Sequence, residues 1–337
     1  MNKPDPPTPQ PAAAVQVNGL VKRYDEVEAV RGIQFAVRSG EIFGFLGPNG
    51  AGKSTTINML CTLVRPSAGS AMVAGHDVIG ERDEVRRNIG LVFQDTTLDG
   101  YMTAEQNLRL HAELYGVPRD GVGERMRQVM EMVGLWERRG SLVNTFSGGM
   151  KRRLEIARGL LHSPRVLFLD EPTVGLDPQT RSSIWSYIRE LKTREDITIF
   201  LTTHYMDEAE YCDRIAIMDQ GRIIVLDTPE ALKAKVGHDR VQIQTDDDAA
   251  AIVALRERFQ IEATVAEGAV TFGVPAGEHF VPRLFDEWDP AHPPIRAVSV
   301  SRPSLDDVFM SYTGTTIRDA EDSQLDTRRN FARMMSR

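Results

Sequence analysis

The sequence predicts an α/β fold: a mainly parallel sheet carrying helices, interrupted by a helical insertion and followed by a small α+β unit. Three observations predict it. Short apolar strands alternate with helical patterns along most of the chain, the arrangement that builds a buried parallel sheet. One such strand, Ile42–Leu46, runs into Gly47-Pro48-Asn49-Gly50-Ala51-Gly52-Lys53-Ser54, with Thr55 next. That segment fits G-x-x-x-x-G-K-[ST], a loop whose backbone N–H groups and lysine cradle nucleotide phosphates. A second continuous apolar strand, Val166–Leu169, ends in Asp170 and Glu171, where a magnesium ion and an attacking water would sit.

Residues 15–46 hold short β-rich runs, Val15–Val17, Ala29–Val30 and Ile33–Val37, separated from Ile42–Leu46 by Ser39-Gly40. Ile42–Leu46 is apolar throughout, as a strand buried on both faces should be. A helix follows from Lys53 to about Leu63 and ends before Pro66. From Met102 to about Trp136 the pattern is helical, and Thr103 with Gln106 forms a capping box. Residues 95–145 therefore read as an insertion between the phosphate loop and the acidic strand. Ser147-Gly148-Gly149 opens a helix over 150–161, and a glycine-opened helix start is an anion site. Met150, Leu154, Ala157 and Leu161 fall on one face of it, with Lys151, Arg152, Arg153 and Arg158 opposite.

Strand 165–170, helix 178–193, strand 197–202, helix 205–211 and strands 214–218 and 222–227 complete the core. The last two join at Asp219-Gln220-Gly221 as a hairpin. Pro229 suits a helix start and closes this core near residue 237, so one domain is expected over 15–237. Residues 238–314 read differently. Strand 241–244, helix 249–259, strands 261–265 and 269–274, helix 280–288 and strand 295–300 give β-α-β-β-α-β, the ferredoxin-like order. Residues 1–14 are proline-rich and expected to be disordered, neither signal peptide nor anchor. Residues 315–337 read as a flexible charged tail.

Composition narrows the function classes. With 48 Asp and Glu against 40 Lys and Arg, the formal net charge of −8 argues against a bulk nucleic-acid binder. Cys61 and Cys212 lie in unrelated patterns and read as reduced, buried thiols, not as a disulfide or metal site. No apolar run reaches the roughly 18 residues of a spanning helix. Any work at a membrane therefore calls for another subunit to carry the spans.

The chemistry follows from the residue types. Gly47, Gly50 and Gly52 let the backbone turn and approach phosphates without a Cβ in the way. Lys53 would bridge the β- and γ-phosphates of ATP, and the Ser54 hydroxyl would ligate Mg²⁺. Asp170 would hold Mg²⁺ through water, while Glu171 would polarise the attacking water.

These motifs, in this order, resemble the ATP-binding subunit of an ABC transporter over about residues 15–235. The resemblance implies an ABC ATPase core with an antiparallel β subdomain beside the parallel sheet. It makes Tyr24 the aromatic that stacks on adenine, Gly47–Thr55 the Walker A loop, and Gln94 the loop glutamine near Mg²⁺ and the membrane subunit. Phe146–Met150 corresponds to the signature, with Ser147, Gly148 and Gly149 as nucleotide contacts. Asp170 and Glu171 correspond to Walker B, Asp177 to the D-loop, and His204 to the switch histidine. The signature normally ends in glutamine where Met150 stands, and Val174 replaces a small polar residue, which puts the hydrolysis rate in question. Arg302–Phe309 with Thr313-Gly314 resembles the C-terminal end of daunorubicin-resistance-type exporter ATPases.

By that resemblance two ATPase subunits face each other head to tail, each completing the other's site. A separate transmembrane permease would carry the cargo, leaving this chain peripheral at the cytoplasmic face of the cell membrane. A drug or lipid-like cargo leads, and no nucleic-acid partner is expected. The alternatives are the ATPase of a polysaccharide, lipid, haem or import system, which shares every catalytic motif, and a soluble non-transport ATPase. Two features weigh against the last: a single phosphate loop, and no sustained heptads between Lys53 and Ser147.

Overall fold

The computed structural model describes residues 13–195, 197–237, 239–266 and 268–313. Residues 1–12 of the expected disordered segment, the tail over 315–337 and Gly314 lie outside them. Ala13 and Ala14 correct the expectation for 1–14: they open strand β1 (Ala13–Tyr24). Ala13 pairs with Arg38, Ala14 accepts a backbone bond from Ala74, and Ala14 is buried, so neither small residue stays loose.

β1 runs antiparallel to β2 (Val27–Arg38), each 12 residues long. The short runs expected here are thus two continuous strands. Register shifts between Val17 and Leu20 absorb the break, and Gly19 (φ 58°) supplies the conformation that a bulge requires. β3 (Ile42–Leu46) and α1 (Lys53–Leu60) flank the phosphate loop. β4 (Ala68–Val73) and β5 (His76–Asp77) complete an antiparallel sheet of order β2-β1-β4-β5.

After α2 (Arg82–Asn88) and β6 (Ile89–Val92) come the helices of the insertion, α3 (Ala104–Leu114) and α4 (Arg119–Met132). The continuous helical pattern expected from Met102 to Trp136 is broken at Gly116 (φ 65°), and Pro118 caps α4. The capping box is present: Gln106 N–H donates to Thr103 Oγ1 at 3.1 Å, and Thr103 N–H donates to Gln106 Oε1 at 2.8 Å. α5 (Gly148–Leu160), β7 (Val166–Asp170), α6 (Pro178–Glu195), β8 (Thr198–Thr203) and α7 (Met206–Ala209) follow. The hairpin β9 (Arg214–Asp219) to β10 (Arg222–Asp227) turns through Gln220 (φ 44°) and Gly221 (φ 79°), the two positive φ values of a two-residue turn.

The central sheet has order β10-β9-β3-β8-β7-β6 and is parallel apart from the β9–β10 pair. Every residue of β3, β7 and β8 is buried, which explains the apolar runs Ile42–Leu46, Val166–Leu169 and Ile199–Leu201 within them. Phe35 of β2 joins the two sheets: its ring lies 5.0 Å from that of Phe45 and 6.0 Å from that of Phe200. This packing anchors β3 and β8, and β7 pairs directly with β8, so the strand ends from which the site is built share one core.

α5 departs from expectation. Arg152 is buried, and Lys151, Arg153 and Arg158 are only half-exposed, so the expected cationic face is not a solvated one. Arg152 shares its side of the helix with Gly149 and Ile156, three and four residues away.

The compact units divide between Thr228 and Pro229, ahead of the boundary expected at 237. α8 (Pro229–Val236) packs on α11 (Leu305–Thr313) within the second unit. A helix-start signal says nothing about which neighbour buries the helix. The second unit also holds β11 (Asp239–Thr245), α9 (Asp248–Phe259), β12 (Ala263–Ala266), β13 (Ala269–Val274), α10 (Gly277–Glu287) and β14 (Ile295–Ser301). Its antiparallel sheet has order β12-β13-β11-β14, which is the ferredoxin-like arrangement read from the element order.

Candidate active site

The phosphate loop leaves the buried end of β3 and is wedged against the β9–β10 hairpin. Gly221 N–H donates to Ala51 O at 2.9 Å, and Arg31 N–H donates to Gly221 O at 2.8 Å. A Cβ on Gly47 would collide with the Met218 carbonyl, and one on Gly52 (φ 105°) would lie 2.6 Å from Ala29 O. Both positions therefore exclude a side chain. Pro48 is buried, Asn49 and Gly50 are exposed at the tip, and Ser54 and Thr55 are half-buried in the first turn of α1.

Lys53 is buried at the loop's centre. Its Nζ donates to Gly47 O at 2.6 Å and Pro48 O at 3.2 Å, and lies 3.4 Å from Glu171 Oε1. Ser54 Oγ donates to Asp170 Oδ1 at 3.0 Å, and Thr202 Oγ1 donates to the same oxygen at 2.5 Å. Thr202 Oγ1 in turn accepts Glu171 N–H at 3.0 Å. His204, just past β8, sets Nδ1 3.3 Å from Glu171 Oε2. Five residues named from the sequence (Lys53, Ser54, Asp170, Glu171 and His204) thus lie in one connected cluster.

The two neighbouring carboxyls are tuned in opposite directions. Burial pushes Asp170 up from the usual carboxylate range, against the hydrogen bonds from Thr202 and Ser54. Burial acts the same way on Glu171, but His204 and Lys53 outweigh it and hold that carboxyl below its ordinary value. Glu171 also has φ 46°, the left-handed region that a non-glycine residue enters only when its surroundings hold it there. The oxygen pair Ser54–Asp170 fits a hard cation such as Mg²⁺, which takes few protein ligands and completes its shell with water and phosphate.

Other expected site residues are held elsewhere. Ser147 caps α5 by accepting Met150 N–H at 3.3 Å, so Met150 serves the cap through its backbone and not its side chain. Gly149 is buried where a Cβ would strike Thr180, and Thr180 is fixed by Asp177, which accepts its N–H at 3.0 Å and its hydroxyl at 2.6 Å. The signature turn and Asp177 are thus bound to each other through α6. Tyr24 is 43% exposed at the end of β1, with Lys22 Nζ 4.7 Å from its ring centroid. Its strand partner, Val27, begins the strand whose Ala29 abuts Gly52. Gln94 is exposed two residues past Val92, which pairs with Leu169 beside the acidic strand. The bonds to Ser54 and Asp170 come from other residues.

Sequence reasoning missed Thr202, Arg152 and Glu208. Thr202-Thr203 ends an otherwise apolar strand directly before His204, a signal that was available. Buried Glu208 accepts hydrogen bonds from Thr173 and, at 2.8 Å, from Thr203, joining the segment after Glu171 to the one before His204. Nothing in the local pattern marks it.

Comparison with known proteins follows the same division. The ABC transporter family model matches residues 30–174, and that of the ATP-binding protein DrrA1-3-like C-terminal domain matches residues 228–313. The daunorubicin/doxorubicin resistance ATP-binding protein DrrA of Streptomyces peucetius is 39% identical, over 90% of this chain and 94% of its own. The linearmycin resistance ATP-binding protein LnrL of Bacillus subtilis is 38% identical, over 90% of this chain and all of its own. Among solved structures, the dimeric ATP-binding cassette MJ0796 in a post-hydrolysis state bound to ADP and phosphate matches 64% of this chain and 98% of its own, at 26% identity and TM-score 0.57. The chain belongs to the ABC transporter family, as a nucleotide-binding ATPase of the group that carries a DrrA-like C-terminal domain.

Proposed function

We propose that this chain is the ATP-hydrolysing subunit of an exporter for a drug or lipid-like compound, acting as a head-to-tail dimer on a separate membrane permease. The observation that carries the ATPase part is the position of Glu171 between Lys53 and His204, one residue from the Ser54–Asp170 pair. Bound Mg²⁺–ATP supplies the γ-phosphoryl group and neutralises its charge. Ser54, Asp170 and Gln94 would hold the metal, and Lys53 would hold the phosphates. Glu171 orients water and takes its proton, and His204 steadies Glu171 and donates to the γ-phosphate. Ser147 and Gly148 are exposed at the positive end of α5, suited to phosphates bound by a second copy. In that dimer Asp177 would contact the shared nucleotide.

Adenine stacking on Tyr24 contributes about 1–3 kcal/mol. Tyr24→Ala is therefore expected to weaken ATP affinity while leaving the chemical step intact. An unchanged KM for ATP would make Tyr24 an ordinary strand residue.

The drug-export part rests on the C-terminal unit and on relatives named for resistance to chemically different compounds. That difference supports a cargo chosen by the permease. No helix among the described residues is long and apolar enough to cross a membrane, so the chain would sit peripherally on that partner. The loop after Gln94 offers the docking surface. Tyr101 is 89% exposed and Leu98 is half-buried. The loop is braced: Asp99 N–H donates to Asn107 Oδ1 at 2.9 Å, and Thr97 N–H donates to Glu155 Oε1 at 2.8 Å. Co-expression with the permease should lower drug accumulation in cells. Leu98→Glu with Tyr101→Glu should abolish that effect while the isolated chain still hydrolyses ATP. Normal export by the double variant would move the docking site elsewhere, and failure to associate with any permease would remove the transport reading.

A further inference from the structure

Arg152 is 5% exposed, and its guanidinium is directed almost wholly at backbone carbonyls. Nε donates to Pro172 O at 2.7 Å, and Nη2 donates to Asp170 O at 3.0 Å and Glu171 O at 3.2 Å. Nη1 donates to Phe93 O, the carbonyl directly before Gln94, and lies 3.3 Å from Glu155 Oε2. Glu155, itself 2% exposed, uses its other oxygen to accept Thr97 N–H at 2.8 Å. One turn on, Arg158 donates to Thr97 O at 3.1 Å. A single helix, α5, thus grips both the loop after β6 and the loop after β7.

We propose that Arg152, oriented by Glu155, is the positioning residue that holds Glu171 in its catalytic conformation and ties it to the Gln94–Tyr101 loop. Glu171 sits at φ 46°, a conformation that must be imposed from outside the residue. Its N–H is pinned by Thr202 and its carbonyl by Arg152, so the peptide units on both sides of its Cα are fixed. Only a planar, five-donor fork can span the carbonyls of Phe93, Asp170, Glu171 and Pro172 together, whereas a lysine ammonium is a point charge with three donors. The inference rests on reading Glu171 as the group that orients water.

The test uses the full chain, with kcat and KM for ATP, binding of a fluorescent ATP analogue and the thermal midpoint measured together. Arg152→Lys keeps the charge beside Glu155 and so favours folding, but it cannot span the two loops. Its kcat is expected to fall by about 100-fold, the scale of an ångström-sized misplacement of a catalytic group, with KM and analogue binding little changed. Arg152→Met with Glu155→Gln, which leaves no unpaired buried charge, should show the same split. A folded Arg152→Lys protein with wild-type kcat would overturn the proposal. Parallel loss of kcat, analogue binding and folded fraction in both variants would also overturn it, reducing Arg152 to a structural residue. If the wild-type chain hydrolysed no ATP, the reading of Glu171 would fall and this inference with it.

Discussion

Glu171→Gln is expected to reduce ATP turnover by about 10²–10⁴-fold, the range for loss of a general base, while nucleotide still binds. Glutamine keeps the size of the side chain and can still accept a hydrogen bond, but it cannot take a proton from water. Lys53 loses one ion-pair partner and keeps its bonds to Gly47 O and Pro48 O, so the phosphate loop retains its shape. The Glu171 carboxyl lies below its ordinary range because His204 and Lys53 outweigh its burial, which favours its ionised form. With hydrolysis blocked and binding intact, ATP should accumulate an ATP-locked dimer, visible as a shift in size-exclusion chromatography. Turnover near the wild-type rate would remove Glu171 from its role. Loss of turnover without a dimer shift would count against the head-to-tail arrangement.

Lys53→Met should produce the opposite pattern, with the primary loss in binding. Lys53 is 4% exposed, and its ammonium donates to two loop carbonyls and lies 3.4 Å from Glu171 Oε1. A hydrogen bond to a charged group contributes about 1.5–3 kcal/mol, so its removal should weaken ATP binding by roughly 10–150-fold. Methionine fills much of the same volume, which keeps the packing under β3. The Glu171 carboxyl should rise toward its ordinary range, with His204 left as its partner. Titration with a fluorescent ATP analogue reads the affinity directly. Binding as tight as wild type would mean that the loop backbone alone holds the phosphates.

Much of the site was legible because its chemistry is local in sequence. A phosphate loop must be glycine-rich, must follow a strand and must precede a helix, so Gly47–Thr55 announces itself in nine consecutive residues. Asp170 and Glu171 stand at the end of an apolar run for a similar reason: a strand buried on both faces can release charge only where it leaves the sheet. The C-terminal unit was legible through element order alone, since β-α-β-β-α-β with short connections leaves few ways to pair the strands.

Arg152 was misread because helical periodicity reports only which residues share a face, and a helix packed nearly all round has no solvated face for a cation to mark. The first strand was read only as the short run Val15–Val17 because the bulge at Gly19 interrupts the alternation, and only the partner strand shows that the strand continues. Glu208 was silent for another reason, and the Thr202 signal showed only that a polar residue ends its strand. Each acts across the ends of different strands and helices, at separations that no sequence window spans.

By itself the sequence determined the phosphate loop, the acidic strand end, the alternation of elements and the type of the C-terminal unit, because each depends on the properties of adjacent residues. Tertiary structure alone decided which groups share a proton or a charge. It set Lys53 and His204 on either side of Glu171, raised Asp170 while lowering its neighbour, and turned Arg152 inward to hold the acidic loop. Those outcomes depend on burial and on distances of a few ångströms between strands that lie apart in the chain, and electrostatic strength inside a protein is set by those two quantities.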